Sequence, residues 1–205
     1  MYCPNGIPQN SPVISHFSKK QESFYLLFIS NMLKAKGVWD LVNALKIVKE
    51  KGYLFHCDFI GKWSDISESE FNQKIKSLQL EKNIIAHGAK YGNEKDFFLQ
   101  QANVFVLPTH DECFPLTLLE AMEYGLPCIS TFEGGIPSII EEGKNGFLIE
   151  KHNPQQLADK IIYLIKNPQI CATMGKAGKE KFLKEFTIDK FEIRIKNILE
   201  YCINS

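Results

Sequence analysis

The sequence predicts a doubly wound α/β fold: a parallel sheet of about six strands, helices on both faces, and extra helices at the C-terminal end. Two observations carry this expectation. From residue 24 onward, short apolar runs alternate with amphipathic helical patterns, as successive βαβ units require. The runs are also apolar on both faces. Phe24-Tyr25-Leu26-Leu27-Phe28-Ile29 suits a strand covered by helices above and below, not one with a wet face. The chain has 205 residues, 44% of them hydrophobic and 23% charged, which is enough apolar material for one sizeable core.

Taken in order, residues 1–22 are polar and turn-rich, with Pro4, Asn5-Gly6, Pro8 and Pro12, and read as an interdomain linker or arm ahead of a domain over 23–205. The first strand spans 24–29. Val38, Leu41, Val42, Leu45 and Val48 then recur at helical spacing. A second strand runs from Leu54 to Ile60 and stops at Gly61, followed by a helix over 67–79. A third strand, 84–87, is capped by Gly88, and a short helix covers 94–101. The fourth strand, 104–107, stops at Pro108. A helix over 116–124 ends at Gly125, and strands at 127–130 and 146–149 follow. Helices over 154–167, 169–185 and 188–202 close the chain. The last places Phe191, Ile195, Ile198 and Cys202 on one face, which is expected to pack on a domain; a membrane surface is the other reading.

Composition excludes several classes. Lys and Arg number 24 and Asp and Glu 24, without the basic surplus of a nucleic-acid binder. Fifteen Phe and seven Tyr argue against disorder. No apolar run approaches the ~20 residues needed to span a bilayer, and Met1 to Asn10 lacks a signal-peptide pattern. The expected location is therefore cytoplasmic, or at the inner face of the membrane. Cys3, Cys57, Cys113, Cys128, Cys171 and Cys202 contain no C-x-x-C pair and read as free thiols. Cys113 is the exception to watch, because it falls in a ligand loop. The chain contains no G-x-G-x-x-G, G-x-x-x-x-G-K-[ST], G-x-S-x-G or H-E-x-x-H motif and no D-x-D pair. No metal ligands are expected.

In doubly wound sheets, ligands bind beyond the carboxyl ends of the strands. That rule selects loops 30–37, 61–66, 88–93, 108–115 and 131–137. In the first, Lys36-Gly37 before a helix suits an anion, since free N–H groups and the helix dipole attract phosphate and Lys36 adds a charge. In the fourth, Pro115 is placed as a first helical residue, leaving the amides of Leu116 and Thr117 as free donors. Glu120 stands among Leu118, Leu119, Ala121 and Met122. It is either a buried carboxylate satisfied by sugar hydroxyls or a surface glutamate of the helix. Gly134-Gly135 allows close backbone approach to a ligand or a sharp turn. His87 and His110 are expected to be structural or solvated.

These residues form a pattern. Pro108-Thr109-x-x-Glu112-Cys113-Phe114-Pro115-x4-Glu120-Ala121-Met122-x2-Gly125-x-Pro127 resembles the signature of family 4 (group 1) glycosyltransferases. Gly134-Gly135-Ile136-Pro137 and Gly143-x-Asn145-Gly146-Phe147-Leu148 continue it in order, and Asn5-Gly6-Ile7 resembles the family's interdomain segment. The resemblance implies a GT-B enzyme with two Rossmann-like domains, retaining transfer from a nucleotide-diphospho-sugar and no required metal or other cofactor. It implies that this chain is the C-terminal, donor-binding domain alone. The partners would be the nucleotide-sugar and an N-terminal acceptor-binding domain, with peripheral membrane contact by the full enzyme. Glu120 would hold the ribose hydroxyls and Glu112 the donor sugar. The backbone of Phe114 and Pro115 and the amides of Leu116 and Thr117 would lie near the sugar and phosphates, and Gly134 and Gly135 would line the donor. Lys36 would neutralise the diphosphate, and Gly88, Ala89, Lys90 and Tyr91 would touch the base. One departure stands out: Asn31 replaces the family's usual arginine, so it donates a hydrogen bond but no charge, leaving Lys34 or Lys62 to compensate. The competing expectations are a non-catalytic nucleotide-sugar-binding module and a nucleotide-sugar epimerase.

Overall fold

In the computed structural model, which describes residues 3–9 and 23–204, six strands form one sheet. They are β1 (Phe24–Ile29), β2 (Phe55–Ile60), β3 (Ile84–Ala86), β4 (Val104–Leu107), β5 (Cys128–Thr131) and β6 (Gly146–Ile149). The order is β3-β2-β1-β4-β5-β6 and every neighbouring pair is parallel. All residues of β4, β5 and β6 are buried, as apolar runs without alternation require. The chain builds outward from β1 through β2 to β3, then returns to the other side of β1 with β4. Order therefore reverses between β1 and β4, and their carboxyl ends flank the crevice.

Eight helices join and flank the strands: α1 (Val38–Glu50), α2 (Glu68–Ser77), α3 (Gly92–Gln101), α4 (Leu116–Glu123), α5 (Ile136–Ile139), α6 (Pro154–Lys166), α7 (Pro168–Glu185) and α8 (Ile188–Asn204). Right-handed crossovers in opposite directions put α1 and α4 on opposite faces. Helix α6 packs on α1 and α7 packs on α4, so both faces are covered. Val38, Leu41, Val42, Leu45 and Val48 form the buried stripe of α1, as their spacing predicts. Ser67 caps α2 by accepting from Glu70 N at 3.1 Å, and Asn153 caps α6 by accepting from Gln156 N at 2.9 Å. Buried Phe28, Phe59, Phe71, Phe105, Phe182 and Phe186 fill the core.

The structure departs from the sequence expectations in four places. Residues Lys34–Lys36 form a short 3₁₀ turn and Ile136–Ile139 a single helical turn; both are too brief to show periodicity. Pro115 is the N-cap of α4, not its first helical residue, because its ψ of 111° is extended. The proline ring fixes φ only, so sequence leaves this one-residue choice open. Helix α8 buries none of its residues, and Ile193, Leu199 and Ile203 are 55%, 56% and 81% exposed. Of the expected face, Phe191 and Ile198 are half-buried, Ile195 is 38% exposed and Cys202 is exposed, so the stripe is covered only in part. Within the N-terminal arm, Ile7 is buried and pairs with the α7–α8 junction: its N–H donates to Phe186 O at 3.0 Å and its carbonyl accepts from Ile188 N at 2.8 Å. Residues 1–2 and 10–22, the rest of the expected linker, lie outside the described residues. Among the described residues, no helix is long and apolar enough to cross a membrane.

Candidate functional site

The ends of β1, β4 and β5 are tied together by buried polar groups. Thr109, directly after β4, donates its hydroxyl to Ala35 O at 3.2 Å and to Asp111 O at 3.0 Å. Thr131, at the end of β5, donates to Thr109 O at 2.7 Å, and His110 N donates to Ala35 O at 2.7 Å. Loops 30–37 and 108–115 are thereby fixed against each other. Sequence reading assigned these two threonines no role; their signal was a hydroxyl at the mouth of an apolar strand.

Lys36 lies at this junction. Its Nζ donates to Glu112 Oε2 at 2.8 Å and to Asp111 O at 3.1 Å, and both side chains of the pair are about one-fifth exposed. Glu112 Oε1 accepts from the Cys113 amide at 3.1 Å, which holds the carboxylate in place. The Gly134-Gly135 turn closes on the same loop. Gly134 has φ of +49°, and a Cβ there would stand 2.1 Å from Glu112 O. Gly135 N donates to Cys113 O at 2.6 Å. The structure thus brings Lys36, Glu112, Gly134 and Gly135 together, as the pattern implied. Phe114 is half-buried and its ring lies 6.1 Å from that of Phe186. Pro115 is buried, Leu116 is exposed, and α4 begins with no side-chain cap, so its first amides have no side chain competing for them. Helix α1 likewise has only Gly37 at its N-cap and no side-chain cap.

Glu120, in the middle of α4, is about three-quarters buried. Its Oε1 accepts from Lys95 Nζ at 2.8 Å across from α3, and its Oε2 is buried without a hydrogen-bond partner. An unpaired carboxylate oxygen is costly to bury, and a hydroxyl pair would relieve it. A diol ligand has to share or displace Lys95. Lys95 was not singled out in the sequence, because the pair joins two helices and no local spacing signals it.

The remaining expected residues spread outward. Asn31 is exposed on the loop after β1, and Lys34 and Lys62 are exposed as well. Gly88 has φ of +68°, and its carbonyl accepts from Gly61 N at 2.9 Å, tying the loop after β3 to the end of β2. Ala89 is exposed, Tyr91 is 75% exposed, and Lys90 Nζ turns to Glu94 Oε1 at 2.8 Å. Beside this loop, Asp58 Oδ1 meets His56 Nε2 at 3.1 Å and His87 Nε2 at 2.6 Å. Burial would raise the Asp58 carboxyl, but the two histidine hydrogen bonds outweigh it and hold the group below the ordinary aspartate value. His110 Nε2 bonds Asp40 Oδ2. His87 and His110 thus have the structural partners expected of them. All six cysteines are free; Cys57, Cys128 and Cys171 are buried and Cys113 is exposed. Burial pushes the Cys171 thiol up to about 12, which leaves it inert.

Fold and site define a class: a doubly wound α/β domain whose switch-point crevice pairs a lysine and a glutamate beneath two uncapped helix starts. The model for the family "Glycosyl transferases group 1" matches residues 13–181, and the chain belongs to that family. An uncharacterized glycosyltransferase of Methanocaldococcus jannaschii is 32% identical over 178 residues, covering 85% of this chain and 47% of the relative. The C-terminal domain of a group 1 glycosyl transferase (LpcC) from Francisella tularensis superposes with a TM-score of 0.73 at 28% identity, covering 80% of this chain and 87% of that one. HepE of Anabaena, in complex with UDP-glucose, superposes with a TM-score of 0.79 at 22% identity, covering 88% of this chain and 49% of that one. The chain spans about half the length of the curated relatives it matches, 47%, 42% and 43% of the first three.

Proposed function

We propose that this chain is the donor-binding half of a retaining, family 4 glycosyltransferase of GT-B type. It takes a sugar from a nucleotide-diphospho-sugar, while a second, N-terminal domain of the full enzyme holds the acceptor. The observation that carries this reading is the Lys36–Glu112 pair at the point where β1 and β4 part, 2.8 Å apart and held by the Asp111 carbonyl and the Cys113 amide. A leaving diphosphate develops negative charge as the glycosidic bond breaks. Lys36 and the N-terminal amides of α1 and α4 present fixed positive potential there, which lowers the barrier to departure. Glu112 accepts from the donor sugar's hydroxyls, and Glu120 accepts from the ribose. The loop from Gly88 to Tyr91 faces the base. No metal ion is needed at the phosphates, because the lysine and the helix ends supply the charge. The half-length match to the relatives supports a further domain in the full enzyme.

Titration calorimetry with UDP, GDP and ADP tests this reading. One of the three should bind, and Lys36→Ala should weaken it by about 1.5–3 kcal/mol, the range for a charged hydrogen bond. Unchanged affinity in a folded Lys36→Ala protein would remove the diphosphate from this crevice.

A further inference from the structure

Three side chains to which the donor reading gives no role converge beside the Lys36 junction. Asp40 stands in the first turn of α1, His110 on the loop after β4, and His152 on the turn between β6 and α6. One ligand atom from each lies within 4.8 Å of the other two. His110 Nε2 touches Asp40 Oδ2, His152 Nδ1 lies 3.9 Å from the same oxygen, and the two imidazole rings are 3.9 Å apart between centroids. A second observation is independent of these distances. His152 has φ of +54°, in the left-handed region, one of two non-glycine residues so placed among the described residues. Histidine visits that region more readily than most side chains, and strained positions of this kind cluster at ligand sites. The neighbouring Lys151 reaches over to Glu133 Oε1 at 2.8 Å and His110 O at 3.5 Å, which holds the β6–α6 turn against the β4 loop.

We propose that Asp40, His110 and His152 form a binding site for a divalent ion of the zinc class, using side chains to which the donor reading gives no role. Zinc bonds to nitrogen and carboxylate oxygen are roughly 2.0–2.2 Å, so tetrahedral ligand atoms lie about 3.4 Å apart. To reach that spacing the Asp40–His110 hydrogen bond opens and the exposed His152 side chain moves in toward both partners. Asp40 and His110 are mostly buried, at 15% and 21% side-chain exposure, whereas His152 is 68% exposed, so it is the ligand free to swing in. Two imidazoles and one carboxylate select Zn²⁺, Co²⁺ or Ni²⁺ over Mg²⁺, and the fourth position is left to water. Facing charges are Asp40 within the site and Glu133 beside it, the latter already paired with Lys151. A bound ion ties α1, the β4 loop and the β6–α6 turn together, immediately before the Asp111 carbonyl that holds Lys36.

The test titrates tag-free 205-residue chain with Co²⁺ and reads its visible ligand-field absorption, with Zn²⁺ competition by calorimetry. One equivalent should bind, and Zn²⁺ should displace it. His152→Ala, which removes an exposed side chain and leaves the Asp40–His110 bond intact, should weaken Co²⁺ at least tenfold and alter the spectrum. His110→Ala should do the same. Cys113→Ser, removing the exposed thiol three residues from His110, should change neither. Retained affinity and spectrum in folded His152→Ala would overturn the site, as would loss of binding in Cys113→Ser or no saturable binding at all.

Discussion

Gly37 links loop to helix at the crevice, with φ of +71° and a site for Cβ only 1.9 Å from the Pro108 carbonyl oxygen. Both the backbone and the neighbour exclude a side chain there. Gly37→Ala should destabilise the protein by roughly 2–4 kcal/mol, combining left-handed strain with overlap against backbone that cannot yield. Denaturant unfolding measures this, and a loss below ~0.5 kcal/mol would mean that the two loops are not locked as described. At this scale the sequence was partly legible. Lys36 beside Gly37 reads as an anion loop, Gly134-Gly135 as a close backbone approach or sharp turn, and Glu112 stands out only through the resemblance to the glycosyltransferase signature. Lys95, Thr131 and the Asp40–His110–His152 group were not legible. Their partners are far along the chain, and no short-range period records which distant residue a side chain will meet.

Among elements, the strands were the most legible because a run apolar on both faces has few other uses. β1, β4 and β6 begin and end where the apolar runs do. The C-terminal helix shows the limit of such patterns. Its stripe of Phe191, Ile195 and Ile198 predicts a face that wants burial, yet amphipathicity says nothing about what covers it: Phe191 and Ile198 are half-buried, while Leu199 and Ile203 are 56% and 81% exposed. β2 and the end of β3 are held together beside the Gly88 loop by Asp58 between His56 and His87. Since the Asp58 carboxyl is lowered by folding, its contribution is present above the ordinary aspartate range and is lost as pH falls through the lower, folded value. Asp58→Asn should therefore cost about 1–3 kcal/mol at pH 7, and the gap to wild type should narrow as pH drops below ~4. Urea midpoints of both proteins at pH 7 and pH 3 check this. A gap that stays constant or widens in acid would contradict it.

For the whole molecule, the strand order β3-β2-β1-β4-β5-β6 places the reversal, and hence the crevice, between β1 and β4. Lys36 and Glu112 come from loops on that edge and Glu120 from the middle of α4; under the proposed reading one donor spans all three. On the proposed reading, the donor half by itself leaves one wall of the crevice open. The chain should bind a nucleoside diphosphate equally well in Mg²⁺ and in EDTA, yet transfer no sugar to an added acceptor. A more than tenfold affinity loss in EDTA, or robust transfer by the isolated chain, would contradict this. The most direct test separates the two glutamates by calorimetry with a nucleoside diphosphate and its sugar conjugate, each variant first shown by thermal melting to be folded. Glu120→Ala should weaken both ligands by ~1.5–3 kcal/mol, as loss of a charged hydrogen bond to ribose requires. Glu112→Ala should leave the diphosphate nearly unchanged and weaken only the sugar-bearing donor. If Glu112→Ala harms the diphosphate as much as Glu120→Ala does, or if neither variant affects either ligand, the donor site is not where this account puts it.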